Sequence, residues 1–392
     1  MTKIITTILA IAMVVLDFIA YKRLKRSGAS KVLRYSFKIA ILFSYILIIL
    51  VPFFMFKFIN IENNQCMMKF SMAILTGYLF FTISRLFLYL FWLPTKRKAL
   101  MWAGIAVSSF LLLSFIYGAF VTRTDYEIKK VSIPYSNLPR SFNGYKIAFI
   151  SDIHIGSMWN AENELKKLVK SLNSTGADII LFGGDLVNLH HMELSPNIID
   201  ILSGVKAPYG VFAVLGNHDT GSYIKNSTER FREDNITSLV KSASHCGWSY
   251  LRDSTIYINN GTDLISITGI DYSDELLGYK HSFKAIDDFE VGHIYENVPS
   301  NIFNITISHL PQLWYKLCDG GYSDLTLSGH IHAMQIKIGS LSPASFMYDE
   351  WSGLYERAGG KLYINDGIGS VGFFARIGAR PEITVIELQS QP

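Results

Sequence analysis

Up to residue 121 the apolar positions run together, and beyond it they come in short bursts. Four apolar stretches occupy roughly 4–20, 39–58, 70–93 and 99–121. Each approaches or exceeds the ~20 residues that carry a helix across a bilayer. Four of them in succession argue for membrane spans rather than buried soluble helices. The first does not fit a secretory signal: Lys3 is its only leading charge, and it runs directly into "YKRLKRS" where a small-residue cleavage site would lie. After a polar connector at 123–145, with Pro134 and Pro139, the pattern changes. "KIAFISD" (146–152), "DIILFGGD" (178–185) and "GVFAVLGNHD" (210–219) are short apolar runs with polar ends. Amphipathic helices are expected between them at 161–173 and 195–205. Strands alternating with helices predict parallel βαβ units, buried on both faces. "STIYINN", "DLISITGID", "NIFNITISH", "DLTLSGH", "KLYIND" and "PEITVIEL" add enough strands for two packed sheets with helices outside. The expected organisation is a four-helix transmembrane region (1–122), the connector (123–145) and an α/β domain (146–392).

Composition sharpens this division. The chain is 49% hydrophobic, and its net charge of +4 hides two opposite halves. Residues 1–130 carry 17 Lys/Arg against 4 Asp/Glu, whereas the rest carries 19 against 28. An acidic globular part excludes a nucleic-acid partner, which needs a basic face. The basic residues of 21–38 and of "TKRK" (95–98) place both loops in the cytoplasm by the positive-inside rule. The expectation is therefore an integral membrane protein, in a bacterial cytoplasmic membrane, with everything after residue 121 extracytoplasmic. Asp17 and Arg85 lie within spans and are either functional or paired with one another. Three cysteines are too few for a disulfide framework, though Cys246 and Cys318 could pair.

Ligands of open α/β sheets collect at the carboxyl ends of strands. Here those ends share one chemistry: Asp152 and His154, then Asp185, then Asn217, His218 and Asp219, then His309, then His330 and His332. If the chain is still extended at "GHIH", both of its rings project to the same side. Carboxylate, amide oxygen and imidazole suit Mn, Fe or Zn, and the lack of thiolates excludes a structural cysteine-zinc site. Seven donors are too many for one tetrahedral ion and fit two divalent ions sharing a carboxylate. Such a pair can activate water and stabilise both oxygens of a phosphoryl transfer.

The blocks "SDIHIG", "GGDLVN", "GNHD", "ISHLP" and "SGHIH" resemble, in order, the five blocks of the calcineurin-like metallophosphoesterases. The closing "NDGIGSVGFFARIGARPEITVIEL" is similar to the bacterial membrane-associated branch. The resemblance implies a four-layer α-β-β-α sandwich over about 145–390. It implies that Asp152, His154 and His332 hold one metal, that Asn217, His309 and His330 hold the other, and that Asp185 bridges. His218 would be the general acid or stabilise the charged phosphate, with Asp219 orienting its ring. Gly183, Gly184 and Gly216 would let the backbone pass close to the metals. The branch usually follows GHxH with two glycines, and this chain has Ala333 and Met334, which bears on the pocket beside His332.

The expected activity is hydrolysis of a phosphoester or phosphoanhydride by a metal-bound hydroxide. The membrane tether favours a lipid-linked or envelope substrate. Two alternatives stand beside it. One is hydrolysis of the pyrophosphate of UDP-2,3-diacylglucosamine in lipid A synthesis, a cytoplasmic substrate. The other is a non-catalytic receptor or transporter using the domain to bind ligand. His190 and His191 either touch substrate or lie on an exposed loop, and His245, His281 and His293 are expected at the surface. Arg376 and Arg380 either bind phosphate or help to fold the closing strand.

Overall fold

The computed structural model describes residues 2–57, 65–94, 97–272, 289–357 and 360–391. The chain clusters into two units, Met1–Ala119 with Phe373–Ala375, and Phe120–Gly372 with Arg376–Pro392.

The first unit contains α1 (Thr2–Arg26), α2 (Lys31–Lys57), α3 (Gln65–Trp92) and α4 (Lys98–Phe120), one helix for each apolar stretch. Among the described residues, Met68–Trp92 and Lys98–Thr124 are long and apolar enough to cross a bilayer. The two buried charges meet. Arg85 Nη1 lies 3.1 Å from Asp17 Oδ2. The hydroxyls of Tyr45 and Tyr89 each donate to the same carboxylate at 2.6 Å. Among apolar neighbours a carboxylate needs such partners, because desolvation without them costs several kcal/mol. Asp17 thereby ties α1 to α2 and α3, which is the pairing alternative read from the sequence.

The second unit holds two six-stranded mixed sheets. The first runs β1 (Glu127–Tyr135), β12 (Glu382–Ser390), β2 (Lys146–Ile150), β3 (Ile179–Phe182), β4 (Val211–Ala213), β5 (Trp248–Tyr250). The second runs β10 (Gly353–Arg357), β11 (Gly360–Ile364), β9 (Leu325–Ser328), β8 (Asn304–Ser308), β7 (Leu264–Ile270), β6 (Ser254–Asn259). Alternation along each strand sorts side chains into layers. Ile147 and Phe149 of β2 pack with Ile305, Ile307, Leu325 and Leu327 between the sheets. Ala148 and Ile150 turn the other way, against Leu165 and Leu168 of α5 (Ala161–Asn173). Leu202 of α6 (Pro196–Leu202) and Leu239 of α7 (Glu229–His245) join that outer layer. On the far side of the second sheet, Trp314 and Cys318 of a short helix cover Leu362 and Ile364. Layering of helix, sheet, sheet and helix follows.

The expected strands are present, and the expected connector is not. Residues 127–135 form β1, in parallel register with β12 from Glu127↔Glu382 to Tyr135↔Ser390. Its lysines and proline disguise it. They are tolerated because β1 is an edge strand, where one face and one row of backbone groups meet solvent. Two further short strands, β5 and β10, also escaped the sequence reading. Cys246 and Cys318 are both buried and free.

Just before β1, Arg123 makes two parallel 3.0 Å bonds to the Glu164 carboxylate of α5, both side chains buried. The same carboxylate accepts the Asn160 backbone N–H at the helix start. Removing one partner of a buried pair leaves the other charge uncompensated. Arg123→Ala is expected to destabilise the α/β unit by roughly 3–5 kcal/mol, read as a lower denaturant midpoint. Arg123→Lys, which loses the fork geometry, should fall between.

Candidate metal centre

The carboxyl ends of β2, β3, β8 and β9, with the loop after β4, bring all seven expected donors to one place. The site draws on both sheets. His332 Nε2 lies 3.0 Å from Asp152 Oδ1 and 3.2 Å from His154 Nε2. Asn217 Oδ1 lies 2.8 Å from His309 Nε2 and 2.9 Å from His330 Nδ1. Asp185 Oδ2 stands between these sets, 3.5 Å from His154 Nε2 and 3.3 Å from His309 Nε2. Ligand atoms of Asp152, His154 and His332 lie within 4.8 Å of one another, as do those of Asp152, Asp185 and His309. A ring nitrogen of His218 makes a similar group with His154 and Asp185.

The donor chemistry fits cations. His309 Nδ1–H donates to the Gly183 carbonyl at 2.8 Å, which in the neutral ring turns the Nε2 lone pair inward. That lone pair faces the Asn217 amide oxygen, itself an acceptor. Acceptors brought so close repel unless a positive charge lies among them. Without metal the protein must supply that charge as a proton. Burial pushes His309 down, but the Asp185 carboxylate more than offsets this and raises it to about 9. Burial likewise opposes ionisation of Asp185, yet the surrounding histidines, His309 first, hold it well below the usual carboxylate range.

Holding the donors at this spacing strains the backbone. Asp152, His154, Asp185, His330 and His332 all have φ between 47° and 73°. L-residues enter this left-handed region at a cost and persist there where surrounding structure over-determines them. The expectation of an extended "GHIH" fails for this reason: β9 ends at Ser328, and the two rings diverge from left-handed residues. His330 Nδ1 points towards Asn217 and His309, and His332 Nε2 towards Asp152 and His154. Close approach explains the glycines. A Cβ on Gly216 would sit 2.1 Å from Asp185 Oδ1, and Gly184 combines φ 92° with a potential contact of 2.7 Å to the Gly216 nitrogen.

His218 lies beside the donors. Its backbone N–H donates to Asp185 Oδ1 at 2.8 Å, and its Nδ1–H donates to the Asn188 carbonyl at 2.7 Å. The carbonyl therefore fixes the ring, in place of the expected Asp219. The Asp219 carboxylate instead accepts from the backbone of Asp185, Val187 and Gly216, at 2.8, 3.1 and 2.9 Å. Consecutive residues of a loop send their side chains apart, and this one is spent on bracing the Asp185 loop. Burial, then the nearby Asp185 charge, pushes Asp219 up to about 8.

Three contributors carried no sequence signal. Asn188 acts through its backbone. Glu193 looks like an ordinary loop acid, but it is buried and accepts from Gly156, Asn188 and Leu189 at 2.7, 2.6 and 2.8 Å. It thus holds the loop whose carbonyl fixes His218, while burial raises it to about 7. Tyr223 stacks on His218, with ring centroids 4.2 Å apart. Other expectations resolve structurally. His190 and His191 build their own loop, with His191 bonded to Asn235. His245 and His293 are exposed, and His281 lies outside the described residues. Arg376 is fully buried on the carbonyls of Asp366, Gly369 and Ala379, and Arg380 pairs with Asp125.

Residues 145–334 match the calcineurin-like phosphoesterase family. The chain is 29% identical over 289 residues to the uncharacterized metallophosphoesterase YkuE of Bacillus subtilis, covering 70% of this chain and 89% of that one. It is 25% identical over 285 residues to an uncharacterized metallophosphoesterase of Aquifex aeolicus, covering 72% and 99%. It is 25% identical over 296 residues to the UDP-2,3-diacylglucosamine pyrophosphatase LpxG of Chlamydia muridarum, covering 65% and 88%.

Ala333 and Met334, which replace the two glycines usual in the resembling branch, have φ 47° and 45°. Left-handed geometry costs an alanine or methionine ~1–2 kcal/mol, of which glycine's extra chain entropy returns part. Ala333→Gly and Met334→Gly are each expected to raise stability by up to about 1 kcal/mol, seen as a higher unfolding midpoint without metal.

Proposed function

We propose that the α/β unit, of which residues 145–334 match the calcineurin-like phosphoesterase family, is a metallophosphoesterase domain that hydrolyses a lipid-linked or envelope phosphate compound while anchored by four membrane spans. In this reading Asp152, His154 and His332 hold one divalent ion, Asn217, His309 and His330 a second, and Asp185 bridges them. The observation that carries it is the place of Asp185 Oδ2, 3.5 Å and 3.3 Å from histidines of the two sets. Bound there, ions of the Mn, Fe or Zn class would supply water activation and neutralise phosphate charge. The chain's own part is to fix positions and move a proton. With Nδ1–H committed to Asn188, His218 has Nε2 to engage the substrate, and in its protonated form it can donate to the leaving oxygen. Asp219 keeps the Asp185 loop in place rather than aligning His218.

The apolar α1–α4 and the basic loops at 21–38 and 95–98 support an integral membrane protein with the domain outside. A second reading is favoured by one observation, the 25% identity to LpxG. That relative is a UDP-2,3-diacylglucosamine pyrophosphatase, so cleavage of the same pyrophosphate, on the cytoplasmic side, is the alternative.

Full-length protein reconstituted with Mn²⁺, Fe²⁺ or Zn²⁺ and offered lipid-linked diphosphates, phospholipids, UDP-2,3-diacylglucosamine and bis-p-nitrophenyl phosphate tests both. Lipid-linked compounds are expected to be preferred to water-soluble esters. A C-terminal reporter that is active only outside the membrane separates the two sides. Asp185→Ala should reduce both metal content and hydrolysis to background. His218→Ala should keep the metals and lose ~10²–10⁴-fold in kcat. Hydrolysis unaffected by chelator or by Asp185→Ala would overturn the reading.

A further inference from the structure

We infer that Tyr223 is a positioning residue that couples the metal centre to the proton donor; the inference rests on the reading above of Asn217 as ligand and His218 as acid. Two contacts of one side chain carry it. The Asn217 side-chain N–H donates to the Tyr223 hydroxyl at 2.7 Å. The Tyr223 ring lies on the His218 imidazole with centroids 4.2 Å apart and planes 14° apart, a stacked pair.

The first contact gives the donating end of the Asn217 amide a partner while its oxygen faces the cluster. An amide has a donating end and an accepting end of nearly equal shape, and a partner for the donating end stabilises the orientation in which the oxygen faces the other way. With its nitrogen on Tyr223, Asn217 presents its oxygen to His309 and His330, 2.8 and 2.9 Å away. A flipped amide would point hydrogens at that cluster and repel a cation. Such outer partners of metal ligands are typically worth about 10–100-fold in metal affinity. The second contact restricts the plane of His218. The Asn188 carbonyl holds one edge of the ring at Nδ1 but leaves rotation about that bond open. His154 stands edge-on to His218, at 4.8 Å and 89°. Tyr223 covers a face of the ring, so that Nε2 keeps one direction. As the P–O bond breaks, the Nε2 proton passes to the departing oxygen along that direction.

Tyr223 is half-exposed, so it contributes little to the core and its variants are expected to fold. It lies five residues beyond His218 in a loop.

The two contacts separate by substitution. Tyr223→Phe keeps the stack and loses the hydroxyl, and Mn²⁺ titration calorimetry of the full chain should show one of two sites weakened by about 10–100-fold. Tyr223→Ala loses both. Compared on p-nitrophenyl and phenyl esters of the same phosphate class at saturating Mn²⁺, its kcat should fall about tenfold further on the phenyl ester, whose poorer leaving group needs the proton more. Tyr223→Phe should retain the wild-type ratio between the esters. Wild-type Mn²⁺ affinity in Tyr223→Phe, or an equal loss on both esters in Tyr223→Ala, would overturn the inference. Activity that survives Asp185→Ala would instead strike at the catalytic reading on which it rests.

Discussion

The centre depends on one electrostatic constraint: acceptor atoms of carboxylate, amide and imidazole are brought within a few ångströms of one another. Left alone they repel. A divalent ion would convert that repulsion into binding; without one, the Asp185 carboxylate raises His309 to about 9 against its burial. The surrounding structure can be read as what it takes to hold this cluster. Two sheets contribute strand ends, so no single loop bears the whole cost. Five of the donor residues are bent into left-handed backbone. Asp219 and Glu193 spend buried carboxylates on backbone N–H groups, bracing the loops from behind.

Much of this was legible in the sequence, for physical reasons. Apolar runs with polar ends locate buried strands and their functional ends, because a strand's interior must lose its polarity and its terminus need not. The donors stood at such ends, and the ordered resemblance implied how they would divide between two ions. What stayed hidden acts through geometry rather than residue type. Asn188 works through a carbonyl that every residue has. Asp219 is next to His218 in the chain yet turned away from it. β1 looked like a connector because an edge strand carries solvent-facing lysines and can admit Pro134. The glycine-to-alanine and glycine-to-methionine departures gained meaning only once φ was known at 333 and 334.

In the helical unit the same logic operates on a smaller scale. Asp17 of α1 is a charge among apolar neighbours, and two further helices converge on it, α2 through Tyr45 and α3 through Arg85 and Tyr89. A polar side chain that must be satisfied inside an apolar bundle specifies which helices are neighbours, whereas lipid-like side chains leave that choice open. A single carboxylate thus does for the helices what the donor cluster does for the strands.

The pairing of β1 with β12 has a practical consequence for dissecting the protein. A fragment cut at the boundary expected from the sequence, before residue 146, would discard β1. β12 would then present nine residues of unpaired backbone beside a largely buried strand, a template for joining other copies edge to edge. Insolubility of such a fragment would report the cut and not the enzyme. A fragment that keeps this pairing must begin no later than Arg123, so that its bond to Glu164 and β1 are retained.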